Sequence, residues 1–148
     1  MKSPNRPAGS FFTIEPEASG APTAGSPPGP IAIVFDTWLG DDLIRPYPAV
    51  LVTTPLMRAL LQLPRASGFS ISRARVRASR FFRKHSPGKR LPVFWAIQVD
   101  GVAGRDDMGL TEAGVLVLSR RVLDVVVGFR VGRAVMMQYV PTVSTRRR

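Results

Sequence analysis

The chain has no cysteine and a single histidine, His85. The first absence removes disulfides, thiolate nucleophiles and cysteine-ligated zinc, and leaves no requirement for an oxidising compartment. No apolar run approaches the roughly 18 residues of a membrane-spanning helix. Lys2 has no apolar stretch behind it, so no signal peptide is expected and the cytoplasm is the default location. There is also no glycine-rich phosphate loop, no Gly-x-Ser-x-Gly elbow and no helical histidine pair. No cofactor is expected.

The most informative gap is in negative charge. All ten carboxylates fall outside residues 43–99, while that window holds eleven of the chain's 21 cations. The ten cations elsewhere balance the ten acids, so the net charge of +11 belongs to this one window. Arg73, Arg75, Arg77, Arg80, Arg83, Lys84, Lys89 and Arg90 crowd into its second half. Alternation places Arg73, Arg75 and Arg77 on one face of a strand, opposite Ala74, Val76 and Ala78. Cations packed this way repel, and a counter-anion would relieve them: nucleic-acid phosphate, or the carboxylates of a partner protein. A solvated edge whose arginines block strand pairing would give the same pattern.

What the chain does have is a unit used twice. Ala49–Val52 and Val115–Leu118 are short β-rich runs, followed by Thr54-Pro55 and by Ser119, which can cap helices. Leu56, Leu60 and Leu63 then fall on one helical face, as do Val122, Val125 and Val126. Gly68-Phe69 and Gly128-Phe129 end the two helices, and further strands are expected from Phe69 and over 130–140. A helix joining two strands of one sheet makes them parallel.

The remaining segments are simpler. Residues 1–30 contain seven Pro, four Gly and four Ser and read as a disordered tail, with Phe11, Phe12 and Ile14 as its apolar anchors. Ile31–Phe35 and Pro92–Val99 read as strands. The side-chain period slips near Ser72, which implies a bulge or two separate short pieces. Ser79 can cap a short helix carrying Phe81 and Phe82. The expectation is an α+β domain over 31–141. It would have a mixed sheet of about five or six strands, two or three helices and the two similar strand-helix-strand units. A basic tail over 142–148 would follow.

Two acidic pairs, Asp41-Asp42 and Asp106-Asp107, suggest Mg²⁺ or Ca²⁺ ligands if all four carboxylates converge. Aspartate beside glycine is also ordinary turn chemistry, and no metal is the preferred reading. His85 lies between Lys84 and Ser86 in the basic stretch and reads as a surface residue rather than a catalytic base.

The run Phe35-Asp36-Thr37-Trp38-Leu39-Gly40-Asp41-Asp42-Leu43, with Leu51-Val52-Thr53 and Gly101–Asp107, resembles a small uncharacterised bacterial family. Val117-Leu118-Ser119 through Leu123 is similar to the closing segment of immunity proteins from polymorphic-toxin systems. This resemblance implies a non-catalytic cytoplasmic protein that binds and blocks a cognate toxin domain. Many such inhibitors are acidic, so this basic chain implies a toxin with an acidic face. The alternative is a nucleic-acid-binding domain that uses the basic window; no membrane association is expected.

Overall fold

The computed structural model describes residues 11–23 and 31–140. Along them run β1 (Phe11–Glu15), β2 (Ala21–Pro22), β3 (Ala32–Phe35), β4 (Leu43–Ile44), β5 (Leu51–Thr53) and α1 (Thr54–Leu61). There follow β6 (Phe69–Arg73), β7 (Arg75–Ala78), α2 (Arg80–His85) and β8 (Phe94–Val99). The chain continues with β9 (Met108–Leu110), β10 (Leu116–Ser119), α3 (Arg120–Val126) and β11 (Val135–Tyr139). The fold is α+β. Its strands form three sheets, in the orders β11-β1-β10-β9, β2-β3-β7 and β4-β5-β8-β6.

The two strand-helix-strand units build the two four-stranded sheets in the same way. β5 and β6 are each antiparallel to β8, which lies between them, so they run parallel to one another. β10 and β11 likewise flank β1, antiparallel to both. β4 borders β5 as β9 borders β10. Leu43↔Val52 in one sheet matches Met108↔Leu118 in the other, so the equivalence extends to register.

That arrangement corrects the reading of residues 11–23 as part of a disordered tail over 1–30. Phe11–Glu15 is an interior strand, with Ile14 fully buried and Phe11 nearly so. The prolines and glycines flank this strand without interrupting it, and its partners β10 and β11 supply the burial that local composition lacks. Ala21–Pro22 also pairs, with β3. Residues 1–10, 24–30 and 141–148, including the basic tail, lie outside the described residues.

Two local expectations shift, and the choice left open near Ser72 is settled. Thr53, not Thr54, is the N-cap of α1, and it makes no side-chain cap bond. Its hydroxyl donates instead to Asp42 Oδ1 (2.7 Å), while Thr54 Oγ1 accepts from the Trp95 indole (2.9 Å). Ser119 and Ser79 do cap, accepting from the backbone N–H groups of Val122 and Phe82. The slip near Ser72 resolves into two strands rather than a bulge. At buried Ala74 the chain leaves one sheet and enters another, its N–H still donating to Phe94 O (3.2 Å). Finally, the last strand begins at Val135 rather than Arg130. The Arg130 backbone is already occupied, accepting from Asp42 N–H (2.6 Å) and donating to Asp42 Oδ2 (2.8 Å).

Two apolar cores result. Ile14, Val52, Leu56, Leu60, Leu118, Val122 and Val126 pack in one, where α1 and α3 meet the two four-stranded sheets. Phe35, Ile44, Leu51, Phe82 and Phe94 pack in the other, with Phe35 and Phe94 stacked at 5.3 Å. Adjacent Leu51 and Val52 go to opposite cores, which is why β5 reads as an unbroken apolar run rather than an alternating one. Each side chain buried this fully contributes about 1.5–3 kcal/mol relative to exposure.

Candidate functional site

The paired aspartates hold the two units together. Asp42 Oδ1 accepts from Thr53 of its own unit, and Oδ2 accepts from the Arg130 N–H of the other unit. Asp107 repeats this in reverse: Oδ1 accepts from Ser119 Oγ (2.7 Å) and Oδ2 from the Ser67 N–H (3.0 Å). Arg121 Nε adds an ion pair to Asp107 at 3.1 Å. Burial alone would raise the Asp107 pKa, but the bonds from Arg121, Ser119 and Ser67 outweigh it and hold the carboxyl below its ordinary value. Asp106 Oδ2 accepts from the Val102 N–H (2.6 Å), which lowers its pKa as well.

Asp41 differs. It is 5% exposed, and burial pushes its carboxyl up against the opposing Arg133 N–H bond (2.8 Å), with the charge of Glu17 adding to the rise. The four aspartates therefore serve separate loops rather than one centre. Among the described residues no three histidine, aspartate or glutamate side chains could hold a metal ion.

Sequence reasoning missed Glu17, which is only 3% exposed. Its carboxylate accepts from Leu39 N–H (2.6 Å), Asp41 N–H (3.0 Å) and the Ser19 hydroxyl. It ties the N-terminal segment to the loop before β4. Nothing in Pro16-Glu17-Ala18-Ser19 distinguishes this acid from a solvated one, because its three donors come together only in the folded chain.

His85 is exposed on α2, with its ring stacked on Phe81 at 4.0 Å. Ser79 is committed to capping the same helix. No nucleophile-base-acid arrangement forms around His85 among the described residues.

The basic cluster lies at the surface but on four different elements. Arg73 ends β6, Arg75 and Arg77 lie in β7, Arg80, Arg83 and Lys84 lie in α2, and Lys89 and Arg90 follow in the loop. The expected arginine stripe on one strand is thus split between two sheets at Ala74. All eight residues are exposed. The ion pairs among the described residues are Arg105–Asp106 and Arg121–Asp107, so none of the eight is neutralised by a carboxylate.

Three of them have other engagements. Arg73 lies over the Trp95 ring at 5.4 Å, and Arg83 donates to Ala78 O at 2.9 Å. Lys89 donates to Trp38 O and sits 5.6 Å from that indole. Among the described residues, no contact engages the charged side chains of Arg75, Arg77, Arg80, Lys84 and Arg90. Between β7 and the segment leading into β8 runs a groove of about 490 Å³, lined by Arg73, Arg75, Val76, Leu91, Val93 and Phe94. An extended segment with apolar and acidic side chains suits such a groove, because the arginines stand beside an apolar floor. Among the described residues, no helix is long and apolar enough to cross a membrane. Set against known protein families, curated proteins and solved structures, the chain matches none at a significant level, so this surface is the ground for any functional reading.

Proposed function

We propose that the chain is a non-catalytic protein-binding module of the immunity type, whose basic face over Arg73–Arg90 seats an acidic partner such as a toxin domain in the cytoplasm. The observation that carries this is the set of five exposed cations, Arg75, Arg77, Arg80, Lys84 and Arg90, that no carboxylate neutralises. In solvent each close pair of like charges costs on the order of 1 kcal/mol, and an acidic partner turns that cost into attraction. A protein partner suits the face better than nucleic acid for two reasons. The arginines border apolar Val76, Leu91 and Val93, the mixture found in protein interfaces. The rings nearest them are each covered on one side, Trp95 by Arg73, Trp38 by Lys89 and Phe81 by His85, which leaves none with both faces free to sandwich a base.

The test begins with the reading frame beside this chain's gene: the absence of a toxin domain there counts against the reading, and a toxin domain found there is co-expressed with the chain. Rescue of growth and a co-purifying complex are expected, and both should be lost when Arg75, Arg77 and Arg80 are changed to Glu while the melting temperature is kept. Retention of nucleic acid with a steep salt dependence, together with no binding to that domain, would overturn the reading.

A further inference from the structure

Among the described residues, β11 is the outer strand of its sheet and pairs only with β1. Val135, Met136, Met137 and Gln138 are all exposed, with Val135 at 59% and Met137 at 65%. From Ala134 to Val140 the strand has no charged residue. Natural sheets protect such an edge with charges, proline, short length or a covering segment. The other edges here have that protection. β6 ends in Arg73 and β7 bears Arg75 and Arg77, β2 is two residues with Pro22, and β4 and β9 are flanked by the isolated bridges at Glu17 and Val102. Beside β11, a groove of about 560 Å³ is lined by Leu39, Asp41, Val127, Phe129, Arg130 and Met136, of which Leu39 and Val127 are about half exposed.

We infer that β11 pairs antiparallel with β11 of a second copy of this chain, joining two four-stranded sheets edge to edge. Charge selects this occupant. Two copies of a chain carrying +11 repel least where neither presents a cation, and β11 is such a strand. An antiparallel contact of a strand with itself also needs no second complementary surface. It brings the end of one β11, from which residues 141–148 depart, beside Val135 of the other and its cross-strand neighbour Glu15. Glu15 is exposed and has no ion pair among the described residues, and the sequence separation between the strand end and Arg146–Arg148 would span about 20–30 Å if extended. The contact is separate from the basic face, which lies on β6, β7 and α2.

Sedimentation equilibrium of the full chain at micromolar concentration tests the inference. A dimer is expected, with Met137→Lys and the double variant Val135→Lys/Met137→Lys sedimenting as monomers at an unchanged melting temperature. A monomeric parent chain overturns the proposal whatever the variants do. A dimer that survives the double variant overturns it too. So does a monomer that dimerises only when residues 141–148 are deleted, since the chain's own tail would then be the cover.

Discussion

Replacing Ile14 by Ala tests whether β1 is part of the folded body. Ile14 is fully buried, lies opposite Leu116 and Met136, and belongs to the core shared with Val52, Leu56 and Val122. Truncating such a side chain costs about 2–5 kcal/mol, because the lost transfer energy is joined by the cost of the cavity. The upper half of that range is expected, since neighbours on both flanking strands are held by backbone ladders and cannot collapse inward. For a chain of this length about 1 kcal/mol moves the melting temperature by roughly 3–5 °C, so a drop of at least ~10 °C should be seen. Urea unfolding followed by circular dichroism gives the same quantity through the midpoint, with an unchanged slope. Exposed Leu61→Ala is the control and should cost under about 0.5 kcal/mol. If Ile14→Ala is as mild as the control, the strand is not packed as described and the reasoning fails.

Two further outcomes follow from the close contacts and the carboxylates. A Cβ on Gly101 would sit 2.6 Å from Gly68 Cα and well inside contact distance of the Met108 carbonyl, so Gly101→Ala should cost more than about 2 kcal/mol. Gly88→Ala, also in a loop but facing open space, should cost only its positive-φ strain of about 1–2 kcal/mol, and thermal melts separate the two. Asp107 has a folded pKa below its ordinary value, so its stabilisation is full above that ordinary value and is lost as pH falls through the folded one. Asp107→Asn should therefore lower the melting temperature at neutral pH, and the gap to the parent should close below about pH 4. A gap that stays constant down to pH 3 would refute the clamp. Asp41 has the opposite sign, its raised pKa favouring the folded state at low pH, so it cannot mimic this loss.

The repeated unit was legible because its strands, its helical faces and the Ser119 cap are local signals, although the helices end at Leu61 and Val126, ahead of the expected stops at Gly68 and Gly128. Ser119 and Ser79 fell where their spacing put them, and the valine face of α3 packs as its periodicity requires. β1 was not legible, since Phe11–Glu15 does not alternate cleanly and Thr13 meets Met137 across 124 positions. The second unit's last strand was misplaced for a similar reason: the Arg130 backbone is claimed by Asp42, a partner far away in sequence. In the candidate site, the exposure of the eight cations could be read from the missing acids. Their division between sheets could not, because the switch at Ala74 depends on where β3 and β8 lie.

The position of β1 also determines how the chain could be reconnected. Phe11 lies opposite Tyr139, so the end of β11 and the start of β1 are neighbours on the same side of the sheet. A short hairpin between them would turn β9-β10-α3-β11-β1 into one continuous run, the order in which β4, β5, α1, β6 and β8 already occur. New ends opened between Thr23 and Ile31 would then leave every strand pair intact. Joined there, the two four-stranded sheets would be built from runs in the same order, and opening the chain between β2 and β3 would leave each of its ladders unbroken.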